Sequence, residues 1–121
     1  FLDEIQKVME NIIFNELKLR GFNVDVGVVE YNYKDSEGKS RRSKLEVDFI
    51  ANLGSKKFYI QSALNIDDEQ KKEQETASLN RIDDSFSKIV VVKDNIEPWQ
   101  DDKGIQYIGI EQFLLEEDWL R

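Results

Sequence analysis

With 121 residues, 40% of them hydrophobic, the chain can build one modest core and is too apolar for a disordered tail. A formal net charge of -8 argues against broad phosphate-backbone binding. The absence of cysteine and histidine excludes disulfides, thiolate metal sites, Ser-His triads and most zinc sites. No apolar run approaches the ~20 residues of a membrane span and no secretory pattern opens the chain, so a cytoplasmic location is the default expectation.

The chain opens on Phe1 and not on Met, so the expectation is a domain cut from a longer protein, with residues 1–121 as a single unit. Leu2, Ile5, Met9, Ile12, Ile13 and Leu17 recur at helical spacing and predict an amphipathic helix over residues 2 to 20, stopped by Gly21. Glu16 falls inside that stripe with Arg20 one turn on, the spacing of an ion pair. Phe22 to Tyr33 alternates around Val24, Val26 and Val28 and reads as a strand. A charged turn, Lys34 to Lys39, leads to a second strand over Lys44 to Leu53. Gly54-Ser55-Lys56-Lys57 then connects tightly to a third that ends near Leu64.

Asp67-Asp68-Glu69 places acids where a helix dipole favours them, opening a helix to about Asn80. Ile89-Val90-Val91-Val92, within Ser87 to Lys93, is the continuous apolar run of a buried strand. Residues 94 to 104 read as a polar loop, Ile105 to Ile108 as a short strand, and Ile110 to Leu120 as a closing helix with Phe113, Leu114 and Trp119. The order α-β-β-β-α-β-β-α implies an α/β fold with one mixed central sheet flanked by helices. Trp99 and Trp119 are read as packing of the C-terminal segments.

Chemistry concentrates on the second and third strands. Alternation puts Lys44, Glu46 and Asp48 on one side of the second, and Tyr59, Gln61 and Ala63 on one side of the third. Pairing through the Gly54 turn brings Asp48 and Gln61 together, and Glu10 sits at the rim of the helical stripe beside Phe14 and Leu17. Converging oxygens of this kind suit Mg²⁺. Arg41, Arg42 and Lys44, with Lys39, form the densest basic patch and the candidate nucleic-acid contact. Each residue also has a plainer account: Asp48 and Glu46 as a solvated strand face, Glu10 as a helix-surface acid, Gln61 as a strand amide. On the same account Tyr59 is a packing residue and the basic patch a set of solubilising loop charges.

The strand pair Leu45-Glu46-Val47-Asp48-Phe49-Ile50-Ala51 and Lys57-Phe58-Tyr59-Ile60-Gln61-Ser62-Ala63 resembles the metal-binding hairpin of the PD-(D/E)XK nucleases. The span from Glu10 to Gly21-Phe22 resembles the helix of resolvase-type members. The resemblance implies a restriction-endonuclease-like αβββαβ core with an extra C-terminal strand and helix. Glu10 corresponds to the family's helix acid and Asp48 to its motif Asp. Gln61 stands where the family has Asp or Glu, and Ala63 where it has Lys. A neutral amide and a missing lysine weaken the case for cleavage. The family's lysine can migrate, so the resemblance leaves Lys44 or Lys57 as candidates for its place, with no feature of the sequence that selects either.

Over residues 5 to 115 the closer resemblance is to a C-terminal domain of unknown function of bacterial and archaeal AAA-type ATPases. It rests on Glu10 to Leu17, Arg20 to Val24, Glu46 to Ala51, Tyr59 to Ala63, Asp67-Asp68-Glu69, Ile82-Asp83-Asp84 and Lys88 to Val91. It implies an ATP-binding parent protein whose ATPase domain lies N-terminal to this chain. In keeping with that, no Gly-x-x-x-x-Gly-Lys-Ser/Thr loop occurs here. The expected role is a catalytically degenerate module that binds or regulates, with the ATPase domain, another protein or a structured DNA as partner. Two alternatives stand beside it: a Mg²⁺-dependent DNA nuclease using Glu10, Asp48 and Gln61, and a purely structural oligomerisation or docking domain.

Overall fold

The computed structural model describes residues 1–117 and Trp119. Helix α1 spans Leu2–Leu19 and turns Met9, Ile13 and Leu17 onto the sheet, one residue per turn of apolar spacing. Gly21 follows at φ +91°, the left-handed conformation that ends a helix cleanly. Then come β1 (Asn23–Lys34), β2 (Ser40–Leu53), β3 (Lys56–Ala63), α2 (Glu69–Asn80), β4 (Ser87–Val92), β5 (Trp99–Gln100), β6 (Ile105–Gly109) and α3 (Ile110–Leu115).

The strands form one mixed sheet in the order β1-β2-β3-β4-β6-β5. β1, β2 and β3 are an antiparallel meander. β3, β4 and β6 run parallel, and β5 closes the edge antiparallel to β6. Two cores lie on opposite faces. One joins Met9, Ile13 and Leu17 of α1 to Phe49, Ile60, Val91 and Phe113; the other joins Leu79 of α2 to Val47, Tyr59, Val90 and Tyr107. Parallel strands β3 and β4 are buried on both faces, which is why their sequences are nearly unbroken apolar runs.

Three boundaries depart from the sequence reading. β2 starts at Ser40, so Arg41 and Arg42 lie on a strand and not in a loop; the register Tyr33↔Arg41 and Lys34↔Ser40 carries the hairpin to its tip. The polar loop over 94 to 104 contains β5, whose two residues are strand only because β6 pairs with them. The closing helix, expected to reach Leu120, ends at Leu115 with Glu116 extended (φ -116°, ψ 151°); Asp118 and Leu120 lie outside the described residues.

Arg20 explains the stop. Its guanidinium donates to the carbonyls of Phe113 (3.0 Å), Leu114 (3.1 Å) and Glu116 (3.2 Å), capping α3 from the end of α1. The Glu16 carboxylate holds it in place at 3.3 Å, the ion pair the spacing predicted. Trp119 packs as expected: it stacks on Phe113 at 4.6 Å and donates its indole N–H to the Phe113 carbonyl. Trp99 stacks on Tyr107 at 4.2 Å across the β5–β6 pair. No described helix is long and apolar enough to cross a membrane.

Candidate functional site

The β1–β2 register slips by one residue between Asp25↔Ile50 and Gly27↔Val47, so Asp48 and Phe49 together oppose Val26. This is a β-bulge in the middle of a long hairpin. It breaks the alternation of β2: Val47 and Ile50 pack in the α2-side core, while Phe49 and Ala51 pack in the α1-side core. The bulge is also where β2 leaves β3. Their ladder runs from Leu53↔Lys56 to Phe49↔Ile60 and goes no further.

Side chains bridge the strands beyond that point. The Asp48 backbone N–H donates to Gln61 Oε1 at 3.0 Å. In return, Asp48 Oδ2 accepts from the Ser62 backbone N–H and from the Ser62 hydroxyl, each at 2.9 Å. Ser62 Oγ in turn accepts from Gln6 Nε2 of α1 at 2.6 Å. Asp48 and Gln61 therefore do meet, as the strand geometry implied, but they meet as a clasp. Two side-chain oxygens stand in for the backbone acceptors that diverging strands no longer supply.

Around the clasp, Glu10, Phe14, Val26, Glu46, Asp48 and Phe49 line an open cleft of about 440 Å³ on the α1 side. Glu10 and Asp48 thus share a cleft, with Glu46 beside them. Gln61 is not among its walls. Burial pushes the Asp48 carboxyl above its usual range and the Glu46 charge adds to that, outweighing the two Ser62 hydrogen bonds that favour ionisation. Glu75 of α2 behaves likewise, raised by burial and then by the Asp48 charge. Asp48 therefore acts electrostatically on an acid of α2 while lining a cleft beside α1.

The donor set does not suit Mg²⁺. That ion wants one or two ionised carboxylates with open water positions in octahedral geometry. Here one Asp48 oxygen is committed to Ser62 and the Gln61 oxygen to a backbone N–H, and burial works against the charged form of Asp48 that a cation needs. Among the described residues no group of three or more Asp, Glu, His or Cys side chains is placed to hold a metal ion. Neither Lys44 nor Lys57 lines the cleft. Lys57 Nζ sits over the rings of Tyr59 (5.2 Å) and Phe86 (5.5 Å), and Lys44 lines a separate pocket with Glu30 and Arg42. Ala63 is buried in the α2-side core.

The basic patch is locally matched by acids. Arg41 pairs with Asp35 at 2.8 Å, Arg42 approaches Glu30 at 3.9 Å, and Lys44 stands opposite Glu30 in the register. Tyr59 is buried; its hydroxyl donates to Asp84, and burial together with that carboxylate pushes its pKa up to about 12. It packs and does not offer a stacking face.

Sequence reasoning missed Ser62, Gln6 and Glu75. Gln6 carried a signal: it falls on the core-facing stripe four residues after Leu2 and three before Met9, where a polar side chain needs a buried partner. Ser62 lay unnoticed between Gln61 and Ala63. Glu75 had no signal, since α2 is polar nearly all round.

No family model matches the chain. It is similar to an uncharacterized protein of Haemophilus influenzae, 34% identical over 108 residues, which cover 89% of this chain. The match covers 23% of that relative, so the chain spans about a quarter of its length.

Proposed function

We propose that this chain is a catalytically degenerate PD-(D/E)XK-type domain that serves as a binding or regulatory module of a longer, ATP-binding protein. The order αβββαβ over α1 to β4 supports the nuclease-like core, as does the placing of Asp48 beside Gln61 where β2 and β3 part. The observation that carries the loss of catalysis is the Asp48–Ser62–Gln6 chain. It turns the motif carboxylate into a strand clasp while the position of the motif lysine is a buried alanine. The much greater length of the Haemophilus relative supports the view of a module. The proposed setting is cytoplasmic, with an N-terminal ATPase domain as first partner. A protein surface or structured DNA is the second; the acid-matched arginines favour protein.

The test is titration of Mg²⁺ and Mn²⁺ into the domain, followed by calorimetry and by NMR shifts at Asp48 and Gln61, with cleavage assays on branched and single-stranded DNA. No saturable binding at millimolar metal and no cleavage are expected. Saturable binding together with cleavage, both lost in Asp48→Ala, would establish the nuclease reading in its place.

A further inference from the structure

Helix α1 carries two apolar stripes, and the fold uses one. Met9, Ile13 and Leu17 face the sheet and are buried. A second set, Ile5, Val8, Ile12, Asn15 and Leu19 with Phe1 at the N-cap, follows the spacing 4-3-4-3-4 along the helix and its cap. That is the heptad alternation of a coiled-coil seam, with one asparagine among apolar residues. Most of it is open to solvent: Phe1 is 91% exposed, Val8 57%, Ile12 37% and Leu19 84%, with Ile5 half-buried. Exposed Val and Ile on a helix contribute nothing to its own stability, and a contiguous apolar stripe of this kind marks an interaction surface.

Charge along the stripe's outer flank points to the occupant. Glu4, Asn11 and Lys18 recur every seven residues on that flank, acid at one end and base at the other. If a second α1 lies antiparallel, residues whose numbers sum to 20 form the apolar layers. Val8 then meets the partner subunit's Ile12, and Leu19 meets the partner subunit's Phe1. The flanking positions sum to 22, so Glu4 faces the partner subunit's Lys18 twice over, and Asn11 faces its own copy across the two-fold axis. A parallel pair would set Glu4 beside the other flank, where Met9 and Glu16 lie, and would match no charges. We propose that α1 is a homodimerisation helix that pairs antiparallel with α1 of a second copy through the stripe Phe1–Ile5–Val8–Ile12–Asn15–Leu19. The 18-residue helix offers about 27 Å of seam, so the association is weak and concentration-dependent. The asparagine layer, Asn15 against the partner subunit's Ile5, costs stability and sets the register.

Sedimentation velocity of the 121-residue chain over a concentration series tests this. The mass should climb toward twice the monomer with concentration. Ile12→Glu should hold the chain monomeric, as should Val8→Glu at a more exposed position should the first variant fold poorly. Glu4→Lys should raise the half-dimer concentration about tenfold, and Glu4→Lys with Lys18→Glu should restore it. Because the chain lacks cysteine, single-cysteine variants report orientation directly. Asn11→Cys should form a disulfide-linked dimer on mild oxidation and Leu19→Cys should not. A monomer at every concentration, a dimer indifferent to both glutamate variants, or ready cross-linking of Leu19→Cys would each overturn the proposal.

Discussion

Asp48 and Ser62 are joined twice: one carboxylate oxygen accepts both the backbone N–H and the hydroxyl of the same serine, each at 2.9 Å. The serine is almost wholly buried, and its oxygen also receives Gln6 from α1. One small side chain thus ties β3 to β2 and to α1 at the place where the strand ladder stops. Ser62→Ala removes the hydroxyl, leaves Gln6 Nε2 with only its long 3.3 Å contact to the Ser62 carbonyl, and takes one of two donors from Asp48. The expected loss is about 1–3 kcal/mol, read as a lower urea midpoint at unchanged slope.

The raised Asp48 pKa sets a pH dependence. Its folded value lies above the unfolded one, near 4, because burial disfavours the charge. The stabilisation this confers is fully present below the unfolded value and is lost as pH rises through the folded value. Asp48→Asn cannot ionise and escapes that loss. The stability of Asp48→Asn minus that of wild type should therefore grow from pH ~4 toward neutrality, whatever the offset between them. Asp101 shifts the other way: burial pushes its carboxyl up, but hydrogen bonds from Tyr107, Ile105 and Lys103 and the nearby Lys72 together hold it low. Being common to both proteins, it cancels in the difference. Urea denaturation of the pair at several pH values measures it, and a shrinking gap would contradict the burial of Asp48.

Gly27 sits at the bulge with an ordinary φ, so its role is spatial. A Cβ there would lie 2.6 Å from Ile50 Cδ1, 2.9 Å from Ile50 Cγ1 and 3.2 Å from Val47 Cβ. Gly27→Ala should cost about 1–3 kcal/mol through overpacking. It should also shift amide resonances at Val47 to Ile50, while an alanine at the open turn residue Gly38 would meet no atom within 4 Å and act only through its positive φ.

Arg20 joins the two helices on one face of the sheet. Its guanidinium reaches three carbonyls at the end of α3, pairs with Glu16 and lies 5.1 Å from the Trp119 ring centre. Arg20→Ala should destabilise by about 2–3 kcal/mol, since the α3 carbonyls lose a charged donor. Arg20→Lys should recover only part, because a single ammonium cannot span the same fork. Thermal melts followed by Trp fluorescence would register both.

Much of this architecture was legible along the chain. The apolar spacing of Leu2 to Leu17, the alternation from Val24 to Val28 and the run Ile89 to Val92 each report local periodicity, and each became the expected element. The pairing of Asp48 with Gln61 was legible too, because a tight turn at Gly54 leaves few registers open. What Asp48 does there was not. The bulge exists only as a count of β2 against β1, and no feature of β2 alone reveals an extra residue. The strand at Trp99-Gln100 exists only because β6 lies alongside, and α3 ends where Arg20, 93 residues away, reaches its carbonyls. Local periodicity belongs to the sequence because side-chain direction repeats with the backbone. The fate of a polar atom belongs to the tertiary structure, because its hydrogen-bond partner comes from a distant segment. That partner makes the Asp48 carboxylate a clasp.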